Sequence, residues 1–142
     1  MNELKVVAVI VEFRGKFLFA KRANYMPRHP GLWGVISGVI EKNETPEKAA
    51  LRELFEETKL KGEIEKVGKE FVVEDSNRYF VAPILVKVES RKAILNSEHS
   101  EMKWIYPNEI WDFQTVPMLE KDFESVGISV GMPPKKSNLA EF

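Results

Sequence analysis

The stretch Gly38-Val39-Ile40-Glu41-Lys42-Asn43-Glu44-Thr45-Pro46-Glu47-Lys48-Ala49-Ala50-Leu51-Arg52-Glu53-Leu54-Phe55-Glu56-Glu57-Thr58-Lys59-Leu60 reads as a loop feeding a helix. Thr45 can cap the free N–H groups of a first turn, and Pro46 suits the first helical position, where its missing donor costs nothing. Glu47 sits at the positive end of the helix dipole, and Lys59 and Lys61 sit at the negative end. Ala50 and Leu54, with Leu51 and Phe55 beside them, form a face that can pack on a sheet. Glu53, Glu56 and Glu57 stand at i, i+3 and i+4 on another face, about 5–6 Å apart at Cβ. Two unit charges 4 Å apart repel by about 4 kcal/mol at an effective dielectric near 20. Three carboxylates so placed are either a solvated surface or a platform for a hard divalent cation, Mg²⁺ or Mn²⁺. Arg52, one turn before Glu56, can steady a carboxylate and reach back across the loop towards Glu44.

Upstream, residues 4–13 are rich in β-branched residues and read as a buried strand, turned at Gly15 into a return strand over 17–22. Pro27, Pro30 and Gly31 make 23–32 a loop, and a short strand is expected at Trp33–Ser37. Downstream, two strands are expected over 63–74 and 78–89, separated by Asp75-Ser76-Asn77. Residues 91–101 are polar and irregular, and Met102–Tyr106 reads as a strand. A helical turn is expected from Pro107 and a second helix over 117–126, closed by Gly127. The expected organisation is one domain over 1–130 and a C-terminal tail over 131–142, docked on a neighbouring subunit in a homodimer.

The chain has 142 residues, 44% of them hydrophobic and 30% charged, which suits one soluble domain with a core. With 21 basic and 22 acidic residues it lacks the excess of positive charge that coats nucleic-acid polymers. No apolar run approaches the roughly 20 residues that span a bilayer. Met1–Lys5 leads directly into a strand-like run, so a cytoplasmic protein without a signal peptide is expected. The absence of cysteine removes disulfides, thiolate nucleophiles and cysteine-based zinc sites. Only His29 and His99 could supply nitrogen ligands, which again favours a metal held by oxygen.

The longer pattern separates the two readings of the acidic face. Gly38, five residues, Glu44, seven residues, Arg52-Glu53-Leu54, one residue, then Glu56-Glu57 has a chance probability on the order of one in a million in such a chain. The pattern resembles the Nudix box, GX5EX7REUXEEXGU with U aliphatic, in all but one position. Lys59 stands where the family has its second glycine, although Leu60 keeps the aliphatic position. A left-handed helix end at a non-glycine residue costs roughly 1–2 kcal/mol, so the helix is expected to run on and close near Gly62.

The resemblance implies an α/β fold, an α/β/α sandwich around a mixed β-sheet with the box as loop-helix-loop. It also implies a metal-dependent hydrolase that uses water to cleave a diphosphate linkage. Glu53, Glu56 and Glu57 would hold the metal with the Gly38 carbonyl, and Glu44 and Arg52 would support the loop and helix. Glu98 or Glu53 would act as general base, with Glu98 preferred, although Glu98 could equally ligate the metal; His99 could assist, against the expected alternative of a solvated loop histidine. Arg22, Arg28 and Arg78 are candidate phosphate ligands, against the alternative of ordinary surface charge. Trp33 is a candidate to stack on a base, against the alternative of core packing. The segment Leu32–Glu41 resembles the branch that includes dihydroneopterin triphosphate pyrophosphatase, which points to a nucleotide-like substrate, a nucleoside or pterin triphosphate. A non-catalytic nucleotide sensor on the same fold is the alternative, although such domains often lose box carboxylates that are present here.

Overall fold

A computed structural model describes residues 2–134. Strand β1 (Glu3–Phe13) is the spine, running parallel to β7 (Arg78–Val88) in register from Glu3↔Arg78 to Glu12↔Lys87. Gly15 takes φ +83° in the turn to β2 (Lys16–Arg22), and β2 pairs with β1 only next to that turn. Beyond it the two strands part, and the space beside β1 is taken by β4 (Ile36–Val39), antiparallel over Val6–Val9.

The single strand expected at Trp33–Ser37 is therefore two. Trp33–Gly34 (β3) pairs with β2, and after Val35 the chain changes partner to β1. The strand expected over 63–74 is likewise divided, into β5 (Gly62–Val67) and β6 (Phe71–Glu74), both on β7. The break falls at Gly68, where any Cβ would overlap the Ser125 carbonyl oxygen, so the backbones approach too closely for another residue. β8 (His99–Ile105) pairs with β2, and it begins three residues earlier than the sequence suggests. The mixed sheet is thus β3-β2-β1-β7-β5, with β4, β6 and β8 joined at its flanks.

Alternation along β1 divides the core. Val7, Val9 and Val11 meet Ala49, Ala50 and Leu54 of α1 (Pro46–Thr58) on one face. Ala8 and Ile10 meet Leu119 and Phe123 of α2 (Leu119–Ser125) on the other, above a 3₁₀ turn at Pro107–Asp112. Each fully buried Val, Leu or Phe contributes about 1.5–3 kcal/mol, which anchors one face of α1 on the sheet. This is the expected α/β/α arrangement.

Helix α1 starts as its sequence predicts, with Thr45 Oγ1 accepting from Lys48 N at 3.2 Å and Pro46 in the first turn. Its end corrects the sequence reading. It does not run on to Gly62; Lys59 itself adopts the left-handed conformation (φ 64°, ψ 7°) and donates its N–H to Phe55 O at 2.9 Å. Thr58 fixes that end: its hydroxyl donates to Leu54 O at 2.6 Å and accepts from Leu60 N at 3.1 Å. Its carbonyl also accepts from Ile94 N at 2.8 Å. Gly62 is needed for another reason, because a Cβ there would stand 2.5 Å from Val86 Cγ1 across the β5–β7 pair.

Most of the expected tail, residues 135–142, lies outside the described residues. The chain before it is fastened, with Val130 buried and its carbonyl accepting from Trp111 Nε1 at 2.8 Å. Among the described residues no helix is long and apolar enough to cross a membrane.

Candidate active site

The partner change at Val35 sets Gly38 opposite Val7 on the sheet, directly against α1. A Cβ on Gly38 would overlap the Glu53 carboxylate, so the close approach of strand and acid requires glycine. From the helix, Arg52 spreads its guanidinium across the loop. Nε and Nη2 donate to the two oxygens of Glu44 at 2.7 and 2.9 Å, a bidentate pair. Nη2 also donates to Val39 O at 3.1 Å, and Nη1 to Glu53 Oε1 at 2.8 Å and Glu56 Oε2 at 3.2 Å. Hydrogen bonds from Arg52 hold the Glu44 carboxyl down at about 2, and the same bonds, which Arg52 donates to Glu44, raise the guanidinium further above its ordinary value. Glu44 in turn accepts from Glu41 N at 3.0 Å, which closes the loop.

Glu57 is the outlier of the acidic face. It is 2% exposed, and its Oε2 has no hydrogen-bond partner among the described residues. Burial, and then the adjacent Glu53 and Glu98, push its carboxyl far above the usual range. The backbone explains why Glu98 is so near: Asn96 N donates to Glu57 O at 3.1 Å, pinning the 89–98 loop to the end of α1. Asn96 Oδ1 then accepts from Glu98 N at 3.1 Å, and Glu98 O accepts from Ala23 N at 2.9 Å.

His99 is buried at the start of β8, not solvated as the sequence suggested, with Nδ1 3.7 Å from Glu57 Oε1. Burial lowers the imidazole and raises the carboxyl, so each shift works against a charged pair between these neighbours. Glu56 faces outward, its side chain 57% exposed and turned to Arg52.

Among the described residues no three acidic or histidine side chains are already gathered at metal-ligating geometry. The donor set nevertheless fits a hard divalent cation. An orphaned buried carboxylate oxygen, crowded by two further carboxyls beside a glycine backbone, is short of positive charge, and Arg52 reaches Glu53 but not Glu57.

A cavity of about 410 Å³ opens beside this cluster on the α2 face of the sheet, large enough for a small ligand. Its polar lining includes Gly38, Glu53, Glu98, Arg22, Arg28 and His29. Arg22 Nε donates to Arg28 O at 2.7 Å, and the Arg28 guanidinium lies 3.6 Å over the Tyr79 ring, with Nη2 3.8 Å from Asp75. Val6, Ala8, Phe71, Tyr79, Val81 and Met118 supply apolar walls, and Asp122 also lines the cavity.

The structure thus brings together Gly38, Glu53, Glu57, Glu98, Arg22 and Arg28, with Arg52 and Glu44 bracing them. Two candidates lie apart. Trp33 is packed in the core, 5.8 Å from Phe19 and 5.0 Å from Phe113 between ring centroids. Arg78 is on the surface, bound to Glu74 at 2.8 Å and Glu3 at 3.3 Å. Asp122, not singled out in the sequence, also lines the cavity from the inner face of α2.

Comparison with known proteins identifies the fold and the family. The family model of the NUDIX domain matches residues 1–124. A "MutT-like protein" of Streptomyces ambofaciens is 29% identical over 111 residues, 78% of this chain and 68% of the relative. A "CTP pyrophosphohydrolase" of Escherichia coli is 27% identical over 117 residues, covering 82% of this chain and 86% of the relative. The crystal structure of a MutT protein from Methanosarcina mazei superimposes with a TM-score of 0.73 at 20% identity, over 85% of this chain and 89% of the other. The loop-helix-loop that Arg52 ties together is the Nudix box in three dimensions, and the chain belongs to the NUDIX domain family.

Proposed function

We propose that this Nudix hydrolase is a divalent-metal pyrophosphohydrolase that uses water to cleave a diphosphate linkage in a nucleotide-like substrate, the triphosphate of a nucleoside or pterin. The observation that carries the reading is the buried Glu57 carboxyl, with one oxygen unpartnered among the described residues, beside Glu53 and Glu98, which line a cavity of mixed polar and apolar walls.

In this reading the Gly38 carbonyl, Glu53, Glu56 and Glu57 hold Mg²⁺ or Mn²⁺. When bound, the metal neutralises diphosphate oxygens and makes phosphorus open to attack by water. The protein does the rest by positioning and charge. Arg52 and Glu44 keep α1 and its loop at one fixed spacing from Gly38. Arg22 and Arg28 meet phosphate oxygens not held by the metal, and Arg28 is kept in place by the Tyr79 ring beneath it. Glu98 accepts the proton of the attacking water, with Glu53 as the alternative base. The apolar walls of the cavity take the heterocycle, with the phosphate chain towards Glu53 and Glu98.

The names of relatives support the triphosphate class, since the E. coli protein is named for hydrolysis of CTP. The test is a Mg²⁺-dependent screen of nucleoside triphosphates, dinucleoside polyphosphates, sugar nucleotides and pterin triphosphate, with products identified by mass. Release of a monophosphate and pyrophosphate is expected. Two nucleotides or a sugar phosphate would assign another substrate class, and metal-dependent binding without turnover would replace the enzyme with a sensor.

A further inference from the structure

Two buried polar side chains face each other where α1 ends and β8 begins. The side chains of His99 and Glu57 are only 3% and 2% exposed, with Nδ1 of the first 3.7 Å from Oε1 of the second. That is too long for a hydrogen bond, and a shift of about 1 Å would close it. Nδ1 has no other partner among the described residues, and neither has Glu57 Oε2. Buried polar atoms are nearly always paired, so two orphans on one contact point to a state in which both are satisfied. The backbone keeps them together. His99 opens β8 opposite Arg22 of β2, and its N–H donates to Asn96 O at 3.4 Å. Asn96 N donates to Glu57 O at 3.1 Å, so the turn that carries His99 is bonded to the residue His99 faces.

We propose that His99 is the positioning residue of the metal site: with a divalent cation bound, its Nδ1–H donates to Glu57 Oε1 and leaves Oε2 for the cation. The inference rests on the proposed function in taking Glu57 as a metal ligand. A carboxylate that holds a cation is in its ionised form, which offers acceptors alone, so the oxygen not held by the cation needs a donor. The surroundings offer few. Glu53 and Glu98 are carboxyls themselves. Arg52 is engaged by Glu44, Glu53 and Glu56, and among the described residues no arginine or lysine pairs with Glu57. An imidazole also suits the place chemically. It supplies an N–H without a positive charge that would compete with the metal for the same carboxylate. A hydrogen bond of this kind fixes the direction of a ligand that would otherwise rotate out of the site.

The test uses the full chain and needs no turnover. His29 and His99 are its only histidines, so ¹⁵N-histidine labelling gives two ring systems, and the one lost in His99→Asn is identified. In Mg²⁺-saturated protein Nδ1 of His99 is expected to carry a hydrogen. A lone pair on that nitrogen would face the carboxylate and overturn the proposal. Affinity for Mn²⁺ is then followed by electron paramagnetic resonance in His99→Leu and His99→Asn. Leucine and asparagine have nearly the same shape, but asparagine keeps an N–H donor near the place of Nδ1. His99→Leu is expected to weaken Mn²⁺ binding roughly tenfold or more, and His99→Asn to restore most of that loss. Equal affinity in His99→Leu and wild type, or equal weakening in both variants, would overturn the proposal. Should His99→Leu fail to fold, the position of the hydrogen in the wild type still passes or fails it. No saturable Mn²⁺ binding by the wild type would remove the metal site and this inference together, whereas wild-type binding that His99→Leu leaves intact would remove this inference alone.

Discussion

Gly38→Ala adds one methyl group at the narrowest point of the site. Gly38 has ordinary strand geometry, paired with Val7, so alanine meets no backbone penalty there. The obstacle is Glu53. Even the farther carboxylate oxygen would lie 2.6 Å from the new Cβ, against roughly 3.4 Å for an ordinary contact, and the rest of the carboxyl group would be nearer still. Glu53 must therefore retreat by about 1 Å or more, out of its 2.8 Å hydrogen bond with Arg52. The moving part is the end of a flexible side chain, so the fold survives. A shift of about 1 Å at a reacting centre is worth about 10²-fold in rate. The expected result is a loss of at least that size in kcat/KM for triphosphate hydrolysis, with an apparent Tm within a few degrees of wild type. Wild-type turnover in a folded Gly38→Ala protein would refute the claim that Glu53 works in the position set by Gly38.

Two other substitutions probe the frame. Lys59→Gly relieves the left-handed residue at the end of α1 and is expected to raise stability by up to about 1 kcal/mol in urea unfolding, while Lys59→Val lowers it; no difference between the two would mean that the conformation carries no strain. Asp122→Asn tests linkage: the folded carboxyl is raised to about 8 from an ordinary 3.8, so its protonation supports folding fully at low pH and that support is lost as pH rises through this window. Asp122→Asn is therefore expected to gain on wild type by up to about 1.4 kcal/mol per pH unit between about pH 4 and 8, and parallel pH profiles in urea unfolding would refute it.

The sequence made legible what depends on local spacing. Arg52 and Glu44 are separated by seven residues of loop and first helical turn, and Thr45-Pro46 sets where that turn starts, so their bidentate pair could be anticipated. Burial of Ala50 and Leu54 followed from helical periodicity. What was not legible depends on contacts made far along the chain. Lys59 keeps a conformation it does not favour because Thr58, Leu60 and Ile94 fasten the helix end around it. His99 read as a loop residue because nothing local shows that β8 begins there and lays it against Glu57. Trp33 and Arg78 had the right chemistry for a ligand, but Phe19 and Phe113 claim the first, and Glu3 and Glu74 the second. The cavity draws on β1, β2, β4, β6, β7, α1 and α2 together, so its lining can be read from no single stretch of the chain.

The claim on which the rest depends is that the acidic face of α1 binds a divalent cation through Glu57. It is tested most directly by titrating the protein with Mn²⁺ and following free Mn²⁺ by electron paramagnetic resonance, in wild type and in Glu57→Gln. The expected result is saturable binding by the wild type, competed by Mg²⁺ and weakened at least tenfold in a folded Glu57→Gln, with hydrolysis down by several orders of magnitude. Equal Mn²⁺ affinity and equal turnover in the two proteins would contradict it.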